Sequence, residues 1–410
     1  MVQQSPRVDL ICLSLLGFVL SVPTLASAQQ TQESVASEEI LDASEQQSLD
    51  ELEQALRSRN WNQRYDALVA IGAGDDQLER RISSLADALT SSDRSMQSIG
   101  RLSIQRMGDK AKPTLQKFLD SEDSFDSIRA CGVVSALASQ GDEFADEVIE
   151  ILKDGDLTQR RAALFALKNL SPAAIVDSME LVTKELDAAD FNTQCQACAV
   201  LRQIGPEAKS ATPRLVKLLN EGNVSSRTRA AQALAAIGPV DGYDIPELIG
   251  GLLAAPTHAE KTRALEALGD LGLEAVNQLD DIEALMEDAS KNCRCDAALA
   301  YYRVSGKPAK SVNVLLQEVA AGTQRVPAIE CLGGMREGAA AAVPTLIGYL
   351  DDKDPVIAET AALALKNIGP AAQEALPKLQ SMAEDKDFFM STAVKEAIDA
   401  ITSKPKASSL

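Results

Sequence analysis

Cys195-Gln196-Ala197-Cys198 and Cys293-Arg294-Cys295 are the places in this sequence where close spacing could support redox or metal chemistry. Two thiols so near one another can close a local disulfide or supply two corners of a zinc site. Neither pair sits between a strand and a helix, and Ala199 stands where covalent haem attachment after Cys198 would need His. Of the seven cysteines, Cys12 lies in an N-terminal apolar run, which leaves an even six. The single histidine, His258, follows Ala255-Pro256-Thr257 and reads as a solvated turn residue. Histidine-based metal clusters and Ser-His-Asp triads therefore have almost nothing to draw on within one chain. Asp280-Asp281 and Asp351-Asp352 fall at expected helix starts and turns, where carboxylates favour the helix dipole, so they are read as caps rather than calcium ligands. There is no glycine-rich phosphate loop followed by Lys-Ser or Lys-Thr. The sequence predicts no catalytic residue, no cofactor and no metal.

The elements that carry these residues repeat. A bulky apolar residue recurs at Ile71, Met107, Leu137, Leu170, Ile204, Ile237, Leu271, Val304, Met335, Ile368 and Ile401, at intervals of 30 to 36 residues. Three residues earlier stands a second bulky column, which includes Leu201, Leu234, Leu268 and Leu365. One residue before that comes a mostly small column, from Ala67 and Ser103 through Ala233 and Ala267 to Cys331 and Ala397. Cys131 and Cys198 share a further small column with Ala231. They read as core residues. Self-similarity at such a period marks a solenoid of stacked supersecondary units.

Each unit reads as a helical hairpin. In the clearest units the first helix ends at a glycine, as at Ile237-Gly238-Pro239, and a proline opens the second helix eight residues after the glycine-equivalent position, at Pro213, Pro246, Pro344 and Pro377. Some units depart from this pattern, as at Leu170-Ser171-Pro172 and Leu332-Gly333-Gly334-Met335. The cysteine pairs stand three repeats apart, on the order of 30 Å at about 8 to 10 Å per packed helix layer. They cannot share one zinc site.

Ser226 to Pro239 and Asp354 to Pro370 resemble HEAT repeats, of the short HEAT-like type also found in phycobilisome lyases. The resemblance spans about residues 56–403 and implies an all-α fold, an α-solenoid of ten to eleven helical hairpins. For function it implies a protein-binding scaffold. The iron sites of deoxyhypusine hydroxylases, which are also HEAT-like, need several His-Glu pairs, and this chain has none.

The 410-residue chain is 45% hydrophobic yet only 3% aromatic, as suits close packing of Ala, Leu, Ile and Val. Its net charge of -20 argues against nucleic acid or anionic membrane as a partner. Residues 1–28 read as a signal peptide: Arg7, an apolar run from Leu10 to Leu20, Pro23, and the site Ala26-Ser27-Ala28 before Gln29. The run is too short for a stable membrane span. Export to the periplasm or the extracellular space is the expectation. Residues 29–55 carry eight acidic residues and are expected to be largely disordered, although Leu49, Leu52 and Leu56 have helical spacing. Residues 404–410 are expected to form a disordered tail.

The expected function is that of an exported, non-enzymatic scaffold which binds a protein or peptide along a concave surface formed by its second helices. The candidate face combines Arg214, Glu247, Thr345 and Lys378 with Lys217, Gly250, Gly348 and Ser381 three residues later. The basic members would meet acidic groups on the partner. The small ones would let a ligand reach the backbone. Two alternatives stand beside this reading. One is a lyase or chaperone for a tetrapyrrole chromophore, which the resemblance alone implies. The other is a structural subunit of an envelope complex.

Overall fold

A computed structural model describes residues 48–89, 91, 93–121, 123–288, 293–383 and 391–403. The expected signal peptide, the acidic stretch before Ser48 and the expected C-terminal tail lie outside the described residues. Among the described residues helix α1 (Leu49–Ala55) comes first. The first helices of successive hairpins are α2 (Trp61–Ala73), α4 (Arg94–Met107), α6 (Ser124–Leu137), α8 (Leu157–Leu167), α10 (Phe191–Ile204), α12 (Val224–Ile237), α14 (His258–Leu271), α16 (Arg294–Ser305), α18 (Arg325–Gly334), α20 (Pro355–Ile368) and α22 (Ser391–Thr402). The second helices between them are α3 (Leu78–Leu89), α5 (Lys112–Leu119), α7 (Ala145–Asp154), α9 (Met179–Glu185), α11 (Thr212–Glu221), α13 (Ile245–Gly250), α15 (Leu279–Glu287), α17 (Pro308–Ala321), α19 (Val343–Tyr349) and α21 (Leu376–Ala383). Among the described residues there is no strand, and no helix is long and apolar enough to cross a membrane.

Local chemistry sets the boundaries. Asn60, Asp93, Asp123, Asp156, Asp190, Asn223, Thr257 and Asp354 each cap a first helix, accepting from backbone amides of its first turn. At the other end, Gly238 takes φ 77 and ψ -156, a region that only glycine enters without strain. The chain then runs through a tight 3-10 turn, as at Gly205–Ala211, and a first-turn proline opens α11, α13 and α19. At the irregular Leu170-Ser171-Pro172 junction the chain instead forms a one-turn helix, Pro172–Ile175.

The small column decides how hairpins stack. Ala67, Ser103, Val133, Ala166, Val200, Ala233, Ala267, Ala300, Cys331, Ala364 and Ala397 are all buried. Their short side chains let consecutive first helices pack directly against each other along the whole array, whereas neighbouring second helices touch only slightly. The first helices line one side of the array and the second helices the other.

Residues 48–55 also depart from the expected disorder. Ser48 and Glu51 form a reciprocal capping box, Leu49 and Leu52 are buried, and α1 packs against α2 as an extra second helix. Arg80 on α3 ties it down by pairing with Asp50 at 2.7 Å and Glu53 at 2.6 Å.

Candidate functional site

The candidate residues of the second helices do share one side of the array. Arg214, Lys217, Glu247, Thr345, Gly348 and Ser381 are exposed, and Lys378 and Gly250 are partly so. Two of the three cations are already engaged. Arg214 Nε lies 3.2 Å from Asp187 Oδ2, and Lys378 Nζ lies 2.7 Å from Asp351 Oδ2. Each partner sits just beyond the preceding second helix, so these pairs bridge neighbouring hairpins. Among the described residues, only Lys217 of the three lacks a carboxylate within the 4.0 Å limit of an ion pair. The Gln278 side chain lies where a Cβ on Gly250 would go, so the backbone there is covered, whereas Gly348 faces open space. Glu247 and Gly250 join Asp244, Gln278 and Asp281 in lining an open groove of about 1070 Å³ between α13 and α15. The stripe runs from a tied-down cation at Arg214 to an acidic groove at Glu247.

The thiols are core atoms for the most part. Cys131, Cys198, Cys293, Cys295 and Cys331 are buried, Cys195 is half-buried, and all six are free. Burial pushes the Cys131 and Cys295 thiols up to about 12 and drives Cys198 and Cys331 upward as well. A nucleophilic cysteine needs the opposite shift. His258 is exposed at the first turn of α14, yet its Nδ1 lies 3.1 Å from Cys293 Sγ on the next hairpin. The expectation of a merely solvated turn residue is corrected to that extent. Burial raises the Cys293 thiol too, and Asp296 and Asp288 add to the shift, so this contact holds a protonated thiol. Among the described residues, no three His, Cys, Asp or Glu side chains converge as metal ligands. Asp280 and Asp281 lie in the first turn of α15, and Asp352 accepts from the Asp354 amide.

The first helices carry a polar network that the sequence reading missed. Lys168, just past α8, donates to Gln196 Oε1 at 3.2 Å and lies 3.9 Å from the centre of the Phe165 ring. Burial, then the charges of Arg229 and Arg101, lower its pKa from 10.5 to about 8. Those arginines lie two hairpins away on either side. Arg229 donates to Gln232 Oε1 at 3.1 Å, and Gln232 in turn donates to Glu266 at 3.0 Å. None of Arg101, Lys168, Arg202 and Arg229 has a carboxylate within 4.0 Å among the described residues. By contrast, Arg64 and Arg161 pair with the capping carboxylates Asp93 and Asp190 of the next hairpin, at 3.3 and 2.9 Å. In the sequence Lys168 and Arg202 stand two residues before their markers Leu170 and Ile204, whereas Arg101 and Arg229 stand six and eight before Met107 and Ile237, so no single column groups them.

Stacked helical hairpins with capped first helices and open grooves define an α-solenoid. Residues 312–400 match the family model described as HEAT repeats. Over these residues the chain resembles HEAT repeats, and the described residues before them stack in the same helical hairpins. Importin beta is similar in structure, with a TM-score of 0.52 and 12% identity over 85% of this chain and 56% of importin beta. An engineered protein overlaps 87% of this chain and 99% of its own, at 22% identity and a TM-score of 0.41. Kap121p bound to Pho4p overlaps 84% of this chain and 44% of its own, at 14% identity and a TM-score of 0.41. The chain thus spans about half the length of these two natural solenoids. No curated protein matches it in sequence.

Proposed function

We propose that this chain is an exported, non-enzymatic scaffold that holds a protein partner along its solenoid. The observation that carries the reading is the form of its surface. Side chains recur in register from hairpin to hairpin, and the larger recesses described among these residues are open grooves between helices. Such a surface suits an extended contact with a macromolecule better than the burial of a small substrate. The thiols support the same conclusion, because burial raises them away from nucleophilic use. Export rests on the pattern of residues 1–28.

The test is in-cell cross-linking, followed by affinity recovery of the tagged protein and reconstitution of any complex from purified components. One protein recovered in stoichiometric amount that rebinds the purified chain is the expected result. A chain that elutes alone after cross-linking, or that turns over a small molecule, would overturn the proposal.

A further inference from the structure

We infer that the groove between α13 and α15 is a recognition site for a basic protein segment, whose Lys or Arg side chains pair with Glu247 and Asp281. The inference rests on the scaffold reading and names the chemistry of the partner. Both carboxylates stand ten residues after their repeat markers, Ile237 and Leu271. At three other hairpins that position holds a cation which reaches back to a carboxylate of the preceding hairpin: Lys117 to Glu79 at 3.1 Å, Arg214 to Asp187 at 3.2 Å and Lys378 to Asp351 at 2.7 Å. On α13 and α15 the position is acidic both times, and neither Glu247 nor Asp281 has a cation within 4.0 Å among the described residues. Two unpaired carboxylates on one groove repel each other, and a cation carried by a partner relieves that repulsion. Glu147 and Glu180 occupy the same position on α7 and α9, but Lys184 holds Glu180 at 3.0 Å, and Glu150 and Thr183 stand where α13 and α15 carry Gly250 and Ala284.

The shape of the groove indicates which cation. With the small residues Gly250 and Ala284 on its two sides, it encloses about 1070 Å³, room for a stretch of peptide rather than one ion. Its charged lining residues, Asp244, Glu247, Asp281, Glu287 and Asp288, are all acidic. Asp244 is engaged in capping α13 and Glu287 lies 3.8 Å from Lys310, whereas Glu247 and Asp281 are available. Among the described residues no three acidic, His or Cys side chains converge as a metal ion requires, so charge spread along the groove suits cations carried on a chain. Leu253, Ala254, Ala284 and Leu285 supply apolar lining along which the methylene stem of a Lys or Arg can lie while its head meets a carboxylate. Nucleic acid and anionic lipid are repelled by the same carboxylates.

The probe is a fluorescein-labelled twelve-residue peptide of repeated Lys-Lys-Leu, titrated into the chain from Gln29 to Leu410 at about 0.15 M salt, where long-range attraction to an acidic chain is largely screened. Binding should weaken about tenfold in Glu247→Gln/Asp281→Asn. It should stay unchanged in Glu207→Gln/Glu374→Gln, which removes the same charge from exposed turns of other hairpins. Ala284→Trp, which fills the groove and leaves the charge alone, should weaken binding as much as the groove double variant. Helicity by circular dichroism controls for folding of the variants. Equal affinity in either groove variant, or no binding to the parent chain, would overturn the inference. Equal weakening in the two double variants would overturn it too, because the attraction would then belong to the whole acidic surface. Calcium or spermidine that displaces the peptide at equal concentration would count against it in the same way, since the groove would then hold any cation. The two readings fail separately. A cross-linked partner still captured by the Glu247→Gln/Asp281→Asn variant would leave the scaffold standing and remove this groove from it.

Discussion

Replacing Lys168 with Met should stabilise the array at neutral pH, and the gain should vanish in strong alkali. In the folded chain burial and the flanking arginines bring the ammonium down from 10.5 to about 8. In the unfolded chain the same group holds its proton to about 10.4. Between those limits the unfolded state binds more protons, so stability rises with pH across this window. Below pH 8 the charged lysine costs the full difference, about 3 kcal/mol at about 1.36 kcal/mol per pH unit. That figure is a ceiling, because the cation also gains about 0.5 to 1 kcal/mol from the face of Phe165 and its stem covers apolar surface. Met keeps the stem and removes the charge. Urea unfolding of both proteins at pH 7 and pH 10.5, with hydrogen exchange resolving α8 and α10, should give a gain of about 1 to 3 kcal/mol at pH 7 and little at pH 10.5. A variant destabilised equally at both values would refute the reasoning, for it would mean that an unrecognised carboxylate makes the lysine favourable.

Leu234→Ala and Leu268→Ala, both at 0% exposure in consecutive hairpins, should each cost about 2 to 5 kcal/mol, read as a lower denaturant midpoint. Gly238→Ala should cost about 1 to 3 kcal/mol through its φ of 77, although nothing lies near the added methyl, whereas Gly251→Ala at φ -54 should be tolerated. Peptide mapping without reduction should find no bond from Cys195 or Cys198 to Cys293 or Cys295; such a bond would contradict linear stacking. Mass spectrometry of the exported protein should place its first residue at Gln29, and an exported form retaining residues 1–28 would reject cleavage there.

The sequence by itself determined the repeat, the hairpin and the core. Marker, bulky and small residues return at a nearly fixed period, and each position needs only its own hairpin and the next one to be understood. Leu234, Cys131 and Cys198 are buried where their columns place them. Gly238 and Asp354 end and begin helices for local backbone reasons. Only the tertiary structure decided which side chains of neighbouring hairpins meet, because the repeat period does not state how one hairpin is rotated on the next. From that follow the engagement of Arg214 and Lys378 by carboxylates of the preceding hairpin and the contact of His258 with Cys293. From it also follows the burial of Lys168, whose ammonium the charges of Arg229 and Arg101 further disfavour. These are relations between side chains more than twenty residues apart, set by the rotation and spacing of one hairpin on another, which the period of the sequence does not encode.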